Sequence, residues 1–195
     1  MKEKSKQIVE ITYKEIKLLK QLARTGITDR FQIKKFYKIK PSILEKLEST
    51  KYIRINNTCV AGRSTQIIRL DKSGSRFCRE KLGLNVARTQ SNYFNHDLIL
   101  TYAYNSLNEE MQDSWEHRKE IIKDVYEKNP NIDENYLNDK GKLLTCIDAR
   151  VTVNGITTGI EVLSKRGGKA ERELKEEIAT NLAGCSSVKF FRQWN

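Results

Sequence analysis

The sequence has few of the residues that staple or punctuate a chain. Its 195 residues include only 4 cysteines, 2 prolines, 2 histidines and 2 tryptophans. Cys59, Cys78, Cys146 and Cys185 lie far apart, with no Cys-x-x-Cys pair and no histidine cluster beside them. That spacing argues against zinc and against a disulfide scaffold, and sets the expectation of a reducing, cytoplasmic setting. No apolar run approaches the ~18 residues of a membrane span. The Lys-rich opening MKEKSKQIVE lacks the apolar stretch of a signal peptide, so no membrane partner is expected. A Walker loop, a Gly-x-Gly-x-x-Gly fingerprint and a Ser/His/Asp pattern are absent as well.

Acidic charge is scarce in the first half. Residues 1–90 hold 22 Lys/Arg against 8 Asp/Glu, a balance of +14, whereas residues 91–195 hold 14 against 17, a balance of −3. Such a concentration is the footprint of a phosphate-binding module, because neutralising phosphates releases condensed counterions. No basic amphipathic helix with a clean apolar face is evident, so nucleic acid is expected rather than an anionic membrane surface.

Thr12-Tyr13-Lys14-Glu15 is a capping box, and Ile16, Leu19 and Leu22 follow at helical spacing towards Gly26. Thr28 is expected to cap a second helix over 29–37, with Phe31, Ile33 and Phe36 as its apolar side. Pro41 suits the first position of a third helix over 41–49, carrying Ile43, Leu44 and Leu47. Strands over 52–56 and 66–70 then flank a polar segment, 56–65, with Gly62 and Arg63 near its tip, and a further helix ends near Lys81. Three helices followed by a β-hairpin with a basic tip is the order of a winged helix-turn-helix, whose third helix enters the major groove. The expected contacts with double-stranded DNA are Lys34, Lys35, Lys38 and Lys40 before the third helix, Ser42, Lys46 and Lys51 on or after it, and Arg63 on the wing. Each lysine taken singly is equally well read as a solvated charge. Ser42, Glu45 and Lys46 do not form a base-specific set.

Residues 84–92 read as a linker. Beyond it come a helix over 93–107, a stretch over 113–125 that fits helix or strand, a polar loop over 127–142, a hairpin over 143–163, a helix over 169–183 and a strand over 187–192. With 115–122 taken as a strand, the order is α-β-β-β-α-β. Asn154-Gly155, set between β-branched runs, is a strong two-residue hairpin signal. It pairs Val153 with Ile156 and puts Asp148 opposite Glu161, where like charges are destabilising. Such an oxygen-rich pair suits a hard cation such as Mg²⁺. Alternatively, Arg150 or Lys165 neutralises the pair on a solvated face, or a shifted register dissolves it. Asp113-Ser114-Trp115-Glu116 also fits a helix cap, and His96 beside Asp97 reads as a general base or as a capping residue.

A winged helix followed by His96-Asp97-Leu98, Trp115-Glu116, Ile147-Asp148-Ala149 and Ile160-Glu161-Val162 resembles the replication-relaxation family of bacterial mobile elements, over residues 12–192. The second half resembles the core of the PD-(D/E)XK nuclease fold. The resemblance implies an α+β chain with a winged-helix domain over 1–83 and a nuclease-like domain over 93–195. It further implies a role in plasmid or phage replication, transfer or their regulation. Homodimerisation and replication or transfer proteins as partners are in keeping with it. It makes Asp148 and Glu161 ligands of Mg²⁺ or Mn²⁺, with Glu116 as an additional one. The family's lysine is displaced, since Leu163 stands at its position and Lys165 lies two steps beyond Glu161 on the same strand face, about 13 Å away. A degenerate nuclease-like domain is therefore expected. The alternatives are a metal-dependent endonuclease using Asp148, Glu161 and Lys165, and a winged-helix transcriptional repressor.

Overall fold

The computed structural model describes residues 10–87, 94–164 and 168–192. Helix α1 (Tyr13–Thr25) starts on the expected capping box, in which the Thr12 amide donates to the Glu15 carboxylate at 2.6 Å. It buries Leu18, Leu19, Leu22 and Ala23 completely and ends at Gly26, whose φ of 85° favours a residue without a Cβ. Thr28 does not cap the second helix. It belongs to strand β1 (Thr28–Asp29) and pairs with Ile68, and Asp29 caps instead, its carboxylate accepting from the Gln32 amide at 2.8 Å. Helix α2 (Arg30–Gln32) widens at once into a π turn, Ile33–Tyr37, closed by Lys38 at φ 53°. Helix α3 (Pro41–Ser49) opens on its proline as expected.

Strands β2 (Ile53–Val60) and β3 (Arg63–Leu70) run longer than expected. The polar segment 56–65 is no loop, because both strands continue through it to a two-residue turn at Ala61-Gly62, with φ 49° and 78°. Its side chains are polar because that arm of the hairpin stands in solvent. β1 pairs antiparallel with β3, giving the order β1-β3-β2. Helix α4 (Lys72–Leu82) lies against this sheet so closely that a Cβ on Gly74 would meet the Tyr52 carbonyl oxygen at 2.0 Å. Backbone cannot yield as a side chain can. Gly74→Ala is expected to lower stability by about 2–3 kcal/mol, read as a lower denaturant midpoint; an unchanged midpoint would refute that contact.

The second half comprises α5 (Phe94–Asn105), α6 (Glu109–Asp113), β4 (Glu116–His117), α7 (Arg118–Lys128), β5 (Ala149–Val153), β6 (Ile156–Leu163), α8 (Lys169–Asn181) and β7 (Ser187–Arg192). The strand expected over 115–122 lasts only two residues. His117 and Glu120 form a capping box that turns the chain into α7 instead, with the His117 amide on the Glu120 carboxylate at 3.0 Å. The order is thus α-α-β-α-β-β-α-β rather than α-β-β-β-α-β. β4, β5 and β6 are antiparallel, and β7 returns through α8 to lie parallel to β6. The polar segment 127–142 contains one short 3₁₀ turn, Glu134–Tyr136. Among the described residues, then, the chain is mixed α+β with eight α-helices and two sheets, and no helix is long and apolar enough to cross a membrane.

The first half has an apolar cluster around Leu22, Leu47 and Ile53, and the second half has two, one around Ile121, Ile147 and Ala179 and one around Trp115 and Ile160. Between the halves Ile27 and Ile67 pack on Leu98. The seam also carries polar groups. Thr101 donates to the Ile27 carbonyl at 2.8 Å, Gln32 to the Leu98 carbonyl at 2.9 Å, and the Tyr37 hydroxyl to Asn105 at 2.6 Å. Of the expected linker, residues 84–87 run beside α1, with the Ala87 amide on the Ala23 carbonyl at 2.7 Å, and residues 88–92 lie outside the described residues.

Candidate functional site

The Asn154-Gly155 turn holds the expected register, with φ of 51° and 76° at its two positions. Val153 pairs with Ile156 and Ala149 with Ile160. Asp148 lies one step beyond, its amide within 3.1 Å of both the Ile160 carbonyl and the Glu161 carboxylate, and the Val162 amide donates to Asp148 Oδ2 at 2.9 Å. The ladder itself ends at Ala149–Ile160, and Asp148 leaves it, yet its amide on Glu161 and its carboxylate on the Val162 amide keep the two acids adjacent. They do not sit on a solvated face, however. Residues 159–163 are all buried, Glu161 is 0% exposed and Asp148 7%.

Arg150 does not neutralise them. Arg150 is turned towards Glu116, at 2.5 Å, Asp124, at 2.6 Å, and the Ala183 carbonyl, at 2.8 Å. Lys165 lies outside the described residues. Instead His96, at the start of α5, places Nε2 3.0 Å from Asp148 Oδ2 and Nδ1 3.1 Å from Asp97. Lys175, on the inner side of α8, makes a close ion pair with Glu161 and a second with Glu171 at 3.2 Å. Arg118 stands 3.9 Å from Asp148 Oδ1.

Burial and charge set the protonation of this cluster. Burial opposes a charge on His96, but the hydrogen bonds and charges of Asp148 and Asp97 outweigh it and lift the imidazole to about 10. Burial likewise opposes the Asp148 charge, and the His96 partner reverses the balance and holds that carboxyl low. Burial, aided by the Asp148 charge, raises Glu161 to about 7 despite Lys175. Lys175 is desolvated too, and its hydrogen bond to Glu161 more than compensates. The result is a buried pair of adjacent acids, Asp148 and Glu161, flanked by a base on either side, His96 and Lys175.

This donor set does not fit an Mg²⁺ or Mn²⁺ centre. Asp148 Oδ2 is taken by His96 and the Val162 amide, and the two Glu161 oxygens by Lys175 and the Asp148 amide. Glu116 is held by Arg150. No group of three or more His, Cys, Asp or Glu among the described residues is placed to hold a metal. Lys175 was the residue that sequence reasoning passed over. Its signal was present: a lysine three residues before Ile178, on the side of α8 that also carries Leu182.

On the first half, Lys34, Lys38, Lys40, Ser42, Lys51 and Arg63 are exposed, and no acidic side chain pairs with these cations among the described residues. Lys34, Lys38 and Lys40 join Arg30 around a cavity of about 580 Å³ floored by Ile33, Ile39 and Leu44. Two expected contacts are engaged elsewhere. Lys35 donates to the Tyr102 hydroxyl at 2.9 Å. Lys46 turns back towards α1, donating to the Glu10 carbonyl at 3.0 Å and lying 3.8 Å from the buried Glu15 carboxylate. No family model, no curated protein and no solved structure matches the chain.

Proposed function

We propose that the chain is a double-stranded DNA-binding protein of a bacterial mobile element. It docks through a winged helix in its first half, and the nuclease-like second half serves as a scaffold rather than as a cutting tool. One observation carries this reading: Lys34, Lys38, Lys40, Lys51 and Arg63 are exposed without acidic partners among the described residues, on a half whose charge balance is +14. Solvated cations that make no ion pair are available to phosphate. The sheet order β1-β3-β2 behind α3 is in keeping with a winged helix. The mobile-element setting, in plasmid or phage replication, transfer or their regulation, rests on the motif resemblance.

Duplex binding by the full chain should weaken steeply with salt. Lys40→Ala and Arg63→Ala should each lower the slope of log affinity against log salt by about one, uniformly over sequences. Lys46→Ala should leave that slope alone and lower stability instead, because it strips the counter-charge from Glu15, which is 1% exposed. Binding that ignores salt would refute the reading.

A second reading, a metal-dependent endonuclease, has one observation in its favour. Lys175 brings to Glu161 the cation that Leu163 cannot supply. The engaged carboxylate oxygens weigh against it. Supercoiled plasmid is expected to stay intact with Mg²⁺ or Mn²⁺, and the ions to leave the melting temperature unchanged. Nicking by the wild type that vanishes in Glu161→Gln would decide for the enzyme.

A further inference from the structure

We infer that Glu45 reads a cytosine in the major groove and is the specificity-determining residue of α3. This rests on the winged-helix docking proposed above and goes beyond it, from phosphate attraction to base choice. The outer stripe of α3 is Ser42, Glu45 and Ser49, all exposed and opposite the buried Leu44 and Leu47. In a winged helix it is this stripe that meets the base edges.

Three charged residues lie on α3, and the structure commits two of them. Lys46 is drawn back to Glu10 and Glu15, and Glu48 accepts the Ile55 amide at 3.1 Å. Glu45 alone has no hydrogen bond or ion pair among the described residues. The face is therefore arranged with cations at its flanks, Lys34, Lys38 and Lys40 before the helix and Lys51 after it, and a free carboxylate at its centre. Towards phosphate that carboxylate is purely repulsive, so it weakens binding to every duplex except one that offers it a donor.

The groove edge decides which base that is. Cytosine presents the N4 amino group and adenine the N6 amino group, whereas guanine presents O6 and N7 and thymine O4, all acceptors. A carboxylate accepts only. At adenine, N7 beside N6 repels it; the cytosine edge carries no acceptor of its own. Cytosine is the one base whose major-groove edge opposes Glu45 with a donor alone.

The test uses the full chain and a pool of randomised duplexes, followed by affinities for the selected site and its single-base variants. Wild type should enrich a site with cytosine at one position, and replacing that base should cost roughly ten- to a hundredfold in affinity. Glu45→Ala should flatten preference at that position alone and bind unrelated duplexes more tightly. Glu45→Gln should move the preference to adenine, because a glutamine amide meets N6 and N7 together. Matching thermal melts establish that both variants fold. An unchanged site in both variants, or wild-type binding without preference at any position, overturns the role of Glu45 and leaves the docking reading standing. A wild type with no salt-dependent affinity for duplex overturns the docking reading itself.

Discussion

Lys175→Met should destabilise the full chain by about 3–5 kcal/mol at pH 8, the usual cost of removing one partner from a buried ion pair. Methionine nearly preserves the length of the side chain, so the loss is mainly one of charge. Glu161 is 0% exposed and Lys175 8%. Without the ammonium, the carboxylate keeps only the Asp148 amide and faces the Asp148 charge. Glu161 is already raised to about 7 by burial and Asp148, so protonation offers an escape below neutrality. Urea melts at pH 5.5 and pH 8 should therefore show a smaller loss at the lower value. Glu161→Gln in the same background should restore most of the stability at pH 8, since no charge then needs a partner. Lys175→Met as stable as the wild type at pH 8 would show that another group holds Glu161.

The second large effect is a pH dependence centred on His96. Its folded pKa, about 10, lies above the unfolded value of about 6.5. The charged imidazole therefore contributes stability that is fully present below pH 6.5 and is lost as pH rises through 10. Glu161 adds an earlier decline, between its unfolded range near 4.5 and its folded value of about 7. Asp148 acts at the other end: its depressed folded pKa stabilises above the ordinary carboxylate range, and that share is lost as pH falls through the folded value. Stability should peak in mild acid. His96→Gln keeps a donor facing Asp148 but cannot titrate. Between pH 6.5 and 8.5 it should show only the smaller decline that Glu161 contributes, whereas wild type should lose on the order of 2 kcal/mol more. That window stops short of the thiols Cys146 and Cys185, both pushed up to about 11 by burial. An equal decline in both proteins would exonerate His96.

What the sequence disclosed was local chemistry. Thr12 and Glu15 specify a helix start within four residues, and Pro41 specifies another. Asn154-Gly155 needs only its two positive φ angles to fix the register from Val153–Ile156 to Ala149–Ile160, which leaves Asp148 beside Glu161. The Ala61-Gly62 turn was hidden, because alanine is an unusual residue at φ 49° and the strands leading to it are polar. The segment 115–122 was ambiguous for a different reason: His117 served as a cap, a role better signalled by Ser, Thr, Asp or Asn. What the sequence did not disclose was which carboxylates these cations meet. His96 lies 52 residues from Asp148, and Lys175 comes 14 residues after Glu161, on another element. Nearest-neighbour reasoning chose Arg150 because it shared the strand, whereas the packing of α5 and α8 onto the sheet brings His96 and Lys175 to the pair.

The seam between the halves has a consequence for descent. Thr101 answers Ile27, Gln32 answers the Leu98 carbonyl, and Asn105 answers Tyr37, each pair joining side chains or backbone from opposite halves. A recombination event that exchanged either half for a foreign one would confront these groups with strangers and strand buried polar atoms on both sides. Substitutions across the seam are thus tolerable only in matched steps. Exchange of one half alone is therefore expected to cost stability that exchange of both together would spare.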